Sequence, residues 1–263
     1  MSVTGERVVW KIGSNSNMDA NGFRLDRLGH FANEFAEQIR AGHQPIAVLS
    51  GAVAMANAAL LSTDEGEDER ITDQMRATRG NAAFFNTWIS ALDAEDVRSG
   101  EFLVTHHELN FDPEANTFVH TIEDYLKLGW LPLINESGST DDYETRKLVY
   151  GGDNDGLAEV VADKTKADRI CFLTEEEGLI DSDGNLIKIV NASNTVEALE
   201  IAGHSENIDS HRGGIRTKVE AALLAASMGR KAHIAHAKHS FQAIQKAEVG
   251  TLFVPHYRIN IVQ

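Results

Sequence analysis

Only one cysteine, Cys171, and four prolines occur among the 263 residues. One thiol cannot build an internal disulfide framework or a cysteine-based zinc cluster. Its setting, Arg169-Ile-Cys-Phe-Leu-Thr174, reads as a buried strand, so Cys171 is expected to be a small apolar core residue rather than a nucleophile. No Pro-rich or low-complexity stretch marks a linker. Basic residues are also scarce: 24 Lys and Arg stand against 40 Asp and Glu, a net charge of −16. Such a surface repels phosphate backbones and anionic lipid, and no run of Lys or Arg supplies a local exception. Neither a nucleic acid nor a membrane is therefore expected as a partner. No apolar run approaches the ~20 residues that span a bilayer, and segment 1–9 carries charges in place of a signal peptide's apolar region. A cytoplasmic location is the expectation. The acidic run 64–69 reads as a solvated turn between helices.

Hydrophobic residues, at 42 %, suffice for a sizeable core. Short runs rich in Val, Ile, Leu and Phe at 7–12, 45–49, 101–105, 130–134, 169–173 and 231–235 predict strands. Between them lie segments of helical period. Leu28, Phe31, Ala32, Phe35 and Ile39 recur at three- and four-residue steps within 25–40. Segments 52–61, 71–92, 121–128, 157–166 and 218–228 read the same way. Continuous apolar strands alternating with helices predict an α/β fold whose mostly parallel sheet is covered on both faces. Segment 178–190, with Asp183-Gly184 at its turn, predicts a β-hairpin.

The phosphate-binding P-loop, the dinucleotide GxGxxG, the zinc-binding HExxH and the GxSxG nucleophile elbow are all missing. His233 and His236 would point to opposite faces of a strand, so no metal centre is expected from them. Polar and glycine-rich turns instead follow the predicted strands, where open α/β sheets bind ligands. They are Lys11-Ile-Gly13-Ser, Ser50-Gly51-Ala52, Asn135-Glu136-Ser137, Gly151-Gly-Asp153-Asn154-Asp155, Thr174-Glu175 and Gly213-Gly214-Ile215-Arg216-Thr217-Lys218. Singly each has a structural explanation: Lys11 snorkelling from a strand, Asp153 capping a helix, Gly213-Gly214 as a flexible turn. Together they set two lysines, glycines and carboxylates along one sheet edge. Phosphoryl transfer needs such cations and backbone N–H groups to neutralise charge on the moving group.

The collinear series Lys11-x-Gly-Ser, Leu49-Ser-Gly-Ala-Val53, Ile134-Asn-Glu136, Gly152-Asp-Asn-Asp155, Leu173-Thr-x-x-x-Gly-Leu179, Gly213-Gly-x-x-Thr-Lys218 and Val249-Gly-Thr-Leu-Phe253 resembles the amino acid kinase family, its glutamate 5-kinase branch in particular. The resemblance spans about residues 7–254. It implies a three-layer αβα sandwich, forming a single domain over 1–263 with a substrate lobe at about 1–168 and a nucleotide lobe at about 169–263. It further implies ATP-dependent phosphorylation of the side-chain carboxylate of L-glutamate, with Mg²⁺ entering on ATP, and a homo-oligomer. Lys11, Lys218 and Asp155 would be the catalytic groups. Ser50, Gly51, Asp142, Asp153 and Asn154 would hold the substrate. Lys11, Gly13, Thr174, Glu175, Gly213, Gly214, Ile215, Arg216, Thr217 and Lys218 would hold the nucleotide.

The chain departs from the family pattern at several points. Ser137-Gly138 replaces an Asn-Asp, the loop onward to Gly151 is longer, and counting back from Asp153 brings Asp142 to the substrate-binding aspartate. Arg79-Gly80-Asn81 stands at a Gly-Gln, and Arg212 and Arg216 add cations beside the phosphate turn. The C-terminal PUA domain of longer relatives is expected to be absent. Two rival readings remain open: a kinase of the same fold acting on another acid or phosphate, and a nucleotide or amino-acid sensor. The presence of Lys11, Asp155 and Lys218 weighs against a sensor.

Overall fold

In the computed structural model, residues 5–19, 22–60, 71–138, 154–204 and 214–256 are described. The apolar run Arg7–Ile12 forms β1. Then follow helix α1 (Ser14–Asn17), the short antiparallel pair β2 (Met18–Asp19) and β3 (Gly22–Phe23), and the amphipathic helix α2 (Leu25–Arg40). Next come β4 (Gln44–Leu49), α3 (Ala52–Leu60), α4 (Asp73–Asp93), β5 (Ser99–Val104), α5 (His106–Asn110), α6 (Asp112–Lys127) and β6 (Leu131–Glu136). After these come α7 (Asn154–Lys164), β7 (Arg169–Thr174), β8 (Ile189–Val190), α8 (Thr195–His204), α9 (Ile215–Ser227), β9 (Lys231–His236), α10 (Phe241–Gln245) and β10 (Thr251–Phe253).

Eight strands build the main sheet in the order β5-β6-β4-β1-β7-β9-β10-β8. All neighbours run parallel except β9 and β10. Alternation along each strand splits the core in two, because successive side chains point to opposite faces. Val9, Ile46, Val48, Ile134, Ile170 and Phe172 pack with α6, α7 and α9 on one face. Val8, Trp10, Ile12, Leu49, Cys171 and Leu173 pack with α2, α4 and α10 on the other. The architecture is thus a three-layer αβα sandwich. On the second face Trp10 stacks on Phe241 with centroids 3.7 Å apart. Cys171 is fully buried, and burial pushes its thiol pKa up, which leaves it inert.

The chain leaves β1 for β4 on one side and later places β7 on the other. The C-terminal ends of β1 and β7 therefore flank a topological switch point, where a crevice for ligands opens. Expected and observed strands agree within a residue or two. The hairpin does not form as predicted. Only an isolated bridge, Ile180 to Leu186, joins its arms, and Ile189–Val190 pairs in parallel with β10 as the sheet's edge. Gly178, at φ +150°, is packed so closely on Thr251 and Leu186 that no side chain fits there.

At the far end of the strands, Arg169 is 4 % exposed and donates to both carboxylate oxygens of Glu6, at 3.0 and 2.9 Å. Its third contact is His233 Nδ1, 3.2 Å away. Arg169 can only donate, so that nitrogen accepts and the ring is neutral. Burial, reinforced by the Arg169 charge, pushes the His233 pKa down to about 3 from 6.5. Between those values the unfolded chain binds a proton that the folded chain refuses, so stability is complete above pH 6.5 and falls as pH drops toward 3. Each unit of difference is worth about 1.4 kcal/mol. His233→Asn keeps an acceptor for Arg169 without a titrating group. It is expected to lose less unfolding free energy than wild type between pH 7 and 4.5, followed by urea denaturation. Equal losses in the two proteins would contradict this role for His233.

Candidate active site

Lys11 is the next-to-last residue of β1, on the face that α7 and α9 cover. In that alternation its side chain follows Val9, away from Trp10 and Ile12. The ammonium would be costly there without a partner. Asp155, in the first turn of α7, provides one: its Oδ1 lies 2.7 Å from Lys11 Nζ. The other oxygen, Oδ2, lies 3.1 Å from Lys218 Nζ on α9 and accepts the Thr217 hydroxyl at 2.8 Å. Lys11, Asp155 and Lys218 are 2 %, 1 % and 5 % exposed. One carboxylate thus holds two cations that arrive on different elements, with a net charge of +1 in a chain whose overall charge is −16.

Three turns surround this triad. Gly13 follows β1, and a Cβ placed on it would lie 3.7 Å from the Leu173 carbonyl and 3.9 Å from Lys11 Nζ. The protein itself would tolerate that methyl, which would occupy the space beside the ammonium. Gly214 opens α9 in extended conformation without a side-chain cap, and Ile215 is that helix's first residue, partly buried. The dipole of α9 therefore begins one turn before Lys218. Thr174 ends β7, beside the exit of β1, and its carbonyl accepts from Ala237 N at 2.8 Å.

A chain of amides forms the second half of the site. Asn154 Nδ2 has three acceptors in reach for its two hydrogens: the Leu49 carbonyl at 2.7 Å, Ser50 Oγ at 2.7 Å and Asn135 Oδ1 at 2.9 Å. The same Asn135 oxygen accepts from Glu136 N at 2.9 Å, and Asn135 Nδ2 reaches Asn81 Oδ1 at 3.4 Å. These orientations are forced. A backbone N–H can only donate and a backbone carbonyl can only accept, so neither Asn135 nor Asn154 can flip. Ser50 consequently accepts from Asn154 and directs its own hydroxyl proton elsewhere, while the Asn154 carbonyl is left to meet a donor. Asn17 Nδ2 adds a bond to the Ser50 carbonyl at 3.3 Å.

Gly51 and Gly80 fix the backbone beneath Ser50. Gly51 has φ +142°, and a Cβ there would meet Phe84 at 2.8 Å; one on Gly80 would come within 1.8 Å of the Ala52 carbonyl. The turn at Ser50 is thus held by close backbone packing of α3 on α4. Gly138 is similarly confined, its would-be Cβ 2.5 Å from that of Ala77.

Lys11, Gly13, Ser50, Asn154, Asp155, Thr217 and Lys218 converge on this crevice. Glu175 pairs with Arg24 at 3.3 Å and Arg27 at 3.8 Å at the start of α2. Arg216 pairs with Glu220 at 2.9 Å along its own helix. Asp142, Asp153, Arg212 and Gly213 lie outside the described residues. Asn135 belonged to a turn expected at the ligand edge, whereas Asn81 and Asn17 were given no role there. A signal for Asn81 existed, since it falls with Ala77, Phe84, Phe85 and Trp88 on the buried stripe of α4.

Comparison with known proteins bears on this arrangement. Glutamate 5-kinase of Acinetobacter baylyi is 34 % identical over 259 residues, an overlap covering 94 % of this chain and 66 % of that protein. The glutamate 5-kinase of Mycolicibacterium vanbaalenii is 31 % identical over 258 residues, covering 96 % of this chain and 68 % of that protein. The chain therefore spans about two thirds of the length of these relatives. Among solved structures, a carbamate kinase from Giardia lamblia bound to AMP-PNP superposes with a TM-score of 0.68 at 13 % identity, covering 95 % of this chain and 99 % of that one. At that identity the likeness bears on the fold alone. The sequence pattern of the amino acid kinase family matches residues 6–236, and the chain belongs to that family.

Proposed function

We propose that this protein transfers the γ-phosphoryl group of ATP to the side-chain carboxylate of L-glutamate, forming an acyl phosphate. The observation that carries this reading is the buried Lys11–Asp155–Lys218 bridge at the sheet's switch point. A site that only bound a nucleotide would have little use for two desolvated ammonium groups at one carboxylate. The curated relatives named glutamate 5-kinase support the choice of acceptor.

The chemistry follows from the acceptor. A side-chain carboxyl of pKa about 4.3 is already ionised at neutral pH, so the nucleophile needs no general base. The difficulty is charge: an anion must approach a polyanion. In this reading Lys11 and the Gly13 N–H stabilise the moving phosphoryl group, and Lys218 stabilises the oxygen that ADP retains. Asp155 holds both ammonium groups at fixed positions before the substrates arrive, so little reorganisation is left for the transition state. Thr174, Glu175 and the start of α9, residues 213–218, receive the nucleotide. The Ser50 hydroxyl donates to the amino acid's carboxylate and the Asn154 carbonyl accepts from its ammonium, with Gly51, Asp142 and Asp153 completing that pocket.

The described residues offer no cluster of three His, Cys, Asp or Glu side chains suited to a metal. Asp155 spends both its oxygens on ammonium groups. Mg²⁺ would enter with ATP, held mainly by its phosphates with little protein coordination.

A different acid is the second reading, and Gly138 is the observation that favours it. The space there is closed by Ala77, so no aspartate fits at that position without displacing α4. The acceptor's ammonium partner must then come from elsewhere, and Asp142 is the candidate.

Lys11→Met and Lys218→Met keep the buried stems and remove the charges. Each is expected to lower kcat by about 10²-fold or more, with an unchanged circular dichroism spectrum. Near-wild-type turnover in either variant would refute the role given to that lysine. Substrate identity is tested by trapping the acyl phosphate with hydroxylamine. Hydroxamate is expected with L-glutamate and ATP. Hydroxamate with another acid and none with glutamate would sustain the second reading, and ATP binding without transfer to any acid would support a sensor.

A further inference from the structure

The segment from Thr174 to Gly178 leaves β7 without entering a helix, and its two ends are held differently. At Thr174 the backbone is tied to Ala237 by one hydrogen bond. At Gly178 it packs against Thr251. Of the three carboxylates between these points, Glu176 is exposed and the two flanking it face opposite ways. Glu175 reaches Arg24 and Arg27 on α2. Glu177 reaches the turn between β9 and α10, where it pairs with Lys238 and, at 2.7 Å, with His239 Nε2. No role in the proposed reaction has been given to Glu177, Lys238 or His239, yet they are the groups that fasten this strip on its β9 side.

We propose that Glu177, clamped by Lys238 and His239, is a positioning residue for nucleotide binding. This rests on the proposal that Thr174 and Glu175 receive ATP. The clamp acts through those two residues, since Glu177 is two positions beyond Glu175 on the same unsupported strip. Hydrogen bonds from Lys238 and His239 hold the Glu177 carboxyl pKa down to about 2, so the carboxylate at the centre of the clamp is ionised at neutral pH. The other charged groups facing the strip are Arg24 and Arg27 from α2 and His236 from β9. His236 is 6.2 Å from the His239 ring by centroids, and its pKa is lowered, mainly by partial burial. Its Nδ1 accepts Lys238 N at 3.0 Å, which braces the turn that carries the clamp.

Exposed pairs of this kind are worth little to global stability, about 0–1 kcal/mol. The effect is therefore expected in nucleotide binding and not in folding. The test measures Kd for Mg·ATP and for ADP by titration calorimetry, with KM for the acid and kcat measured alongside. Glu177→Gln is expected to weaken both nucleotides about three- to tenfold, with kcat and the acid's KM unchanged. His239→Gln, which keeps a neutral donor to Glu177, is expected to weaken them less. Unaltered nucleotide affinity in Glu177→Gln, beside a kcat that still collapses in Lys11→Met, would overturn this inference and leave the kinase reading standing. A wild-type protein that binds neither nucleotide would overturn both.

Discussion

One carboxylate between two ammonium groups is the constraint around which this structure is arranged. Asp155 reaches Lys11 and Lys218 with separate oxygens beyond the C-terminal end of β1. A lone buried charge would be expelled or neutralised; a carboxylate with two cations, backed by the Thr217 hydroxyl, can persist. Bringing the three together requires β1, α7 and α9 to meet at one point. The parallel order β4-β1-β7 and the packing of α7 and α9 on one sheet face meet that requirement. The fold is in this sense the scaffold for a surplus positive charge inside a strongly acidic molecule.

A second constraint acts beside the first. The amides of Asn81, Asn135 and Asn154 can adopt only one orientation, because a backbone N–H fixes one end and the Leu49 carbonyl the other. Directionality then passes to Ser50, which must accept from Asn154 and so presents its hydroxyl proton outward. Charge is provided by the lysine bridge and polarity by this chain, and the two meet where α7 begins. Asn154 and Asp155 are adjacent in sequence yet serve the separate halves.

Much of this was legible in the residues. Buried parallel strands are continuous apolar runs, so β1, β4, β7 and β9 stood out, and glycines and polar residues after them marked the ligand edge. That two lysines, glycines and carboxylates gather along one sheet edge followed from their places after the strands; the choice of Lys11, Asp155 and Lys218 as the catalytic groups came only through the family resemblance. Shorter elements were not legible. Thr251–Phe253 is too brief to show alternation, and α8 and α10 lack the long apolar stripe that revealed α2. The hairpin at 178–190 carried a correct turn signal at Asp183-Gly184. Its arms meet in the single Ile180–Leu186 bridge, and Ile189–Val190 pairs with β10 instead. Asn81 was hidden because a polar residue on an apolar helix stripe shows its purpose only when its partner, Asn135 on β6, is known.

The central claim is that Asp155 acts on the reaction through the lysines it holds. A double-mutant cycle on kcat with Asp155→Asn and Lys218→Met tests it most directly, because residues acting as a unit show losses that do not multiply. If the bridge is the working unit, each single variant loses most of the turnover and the double variant loses scarcely more than the worse of the two. Losses that multiply would mean that Asp155 and Lys218 contribute independently, which would contradict the account.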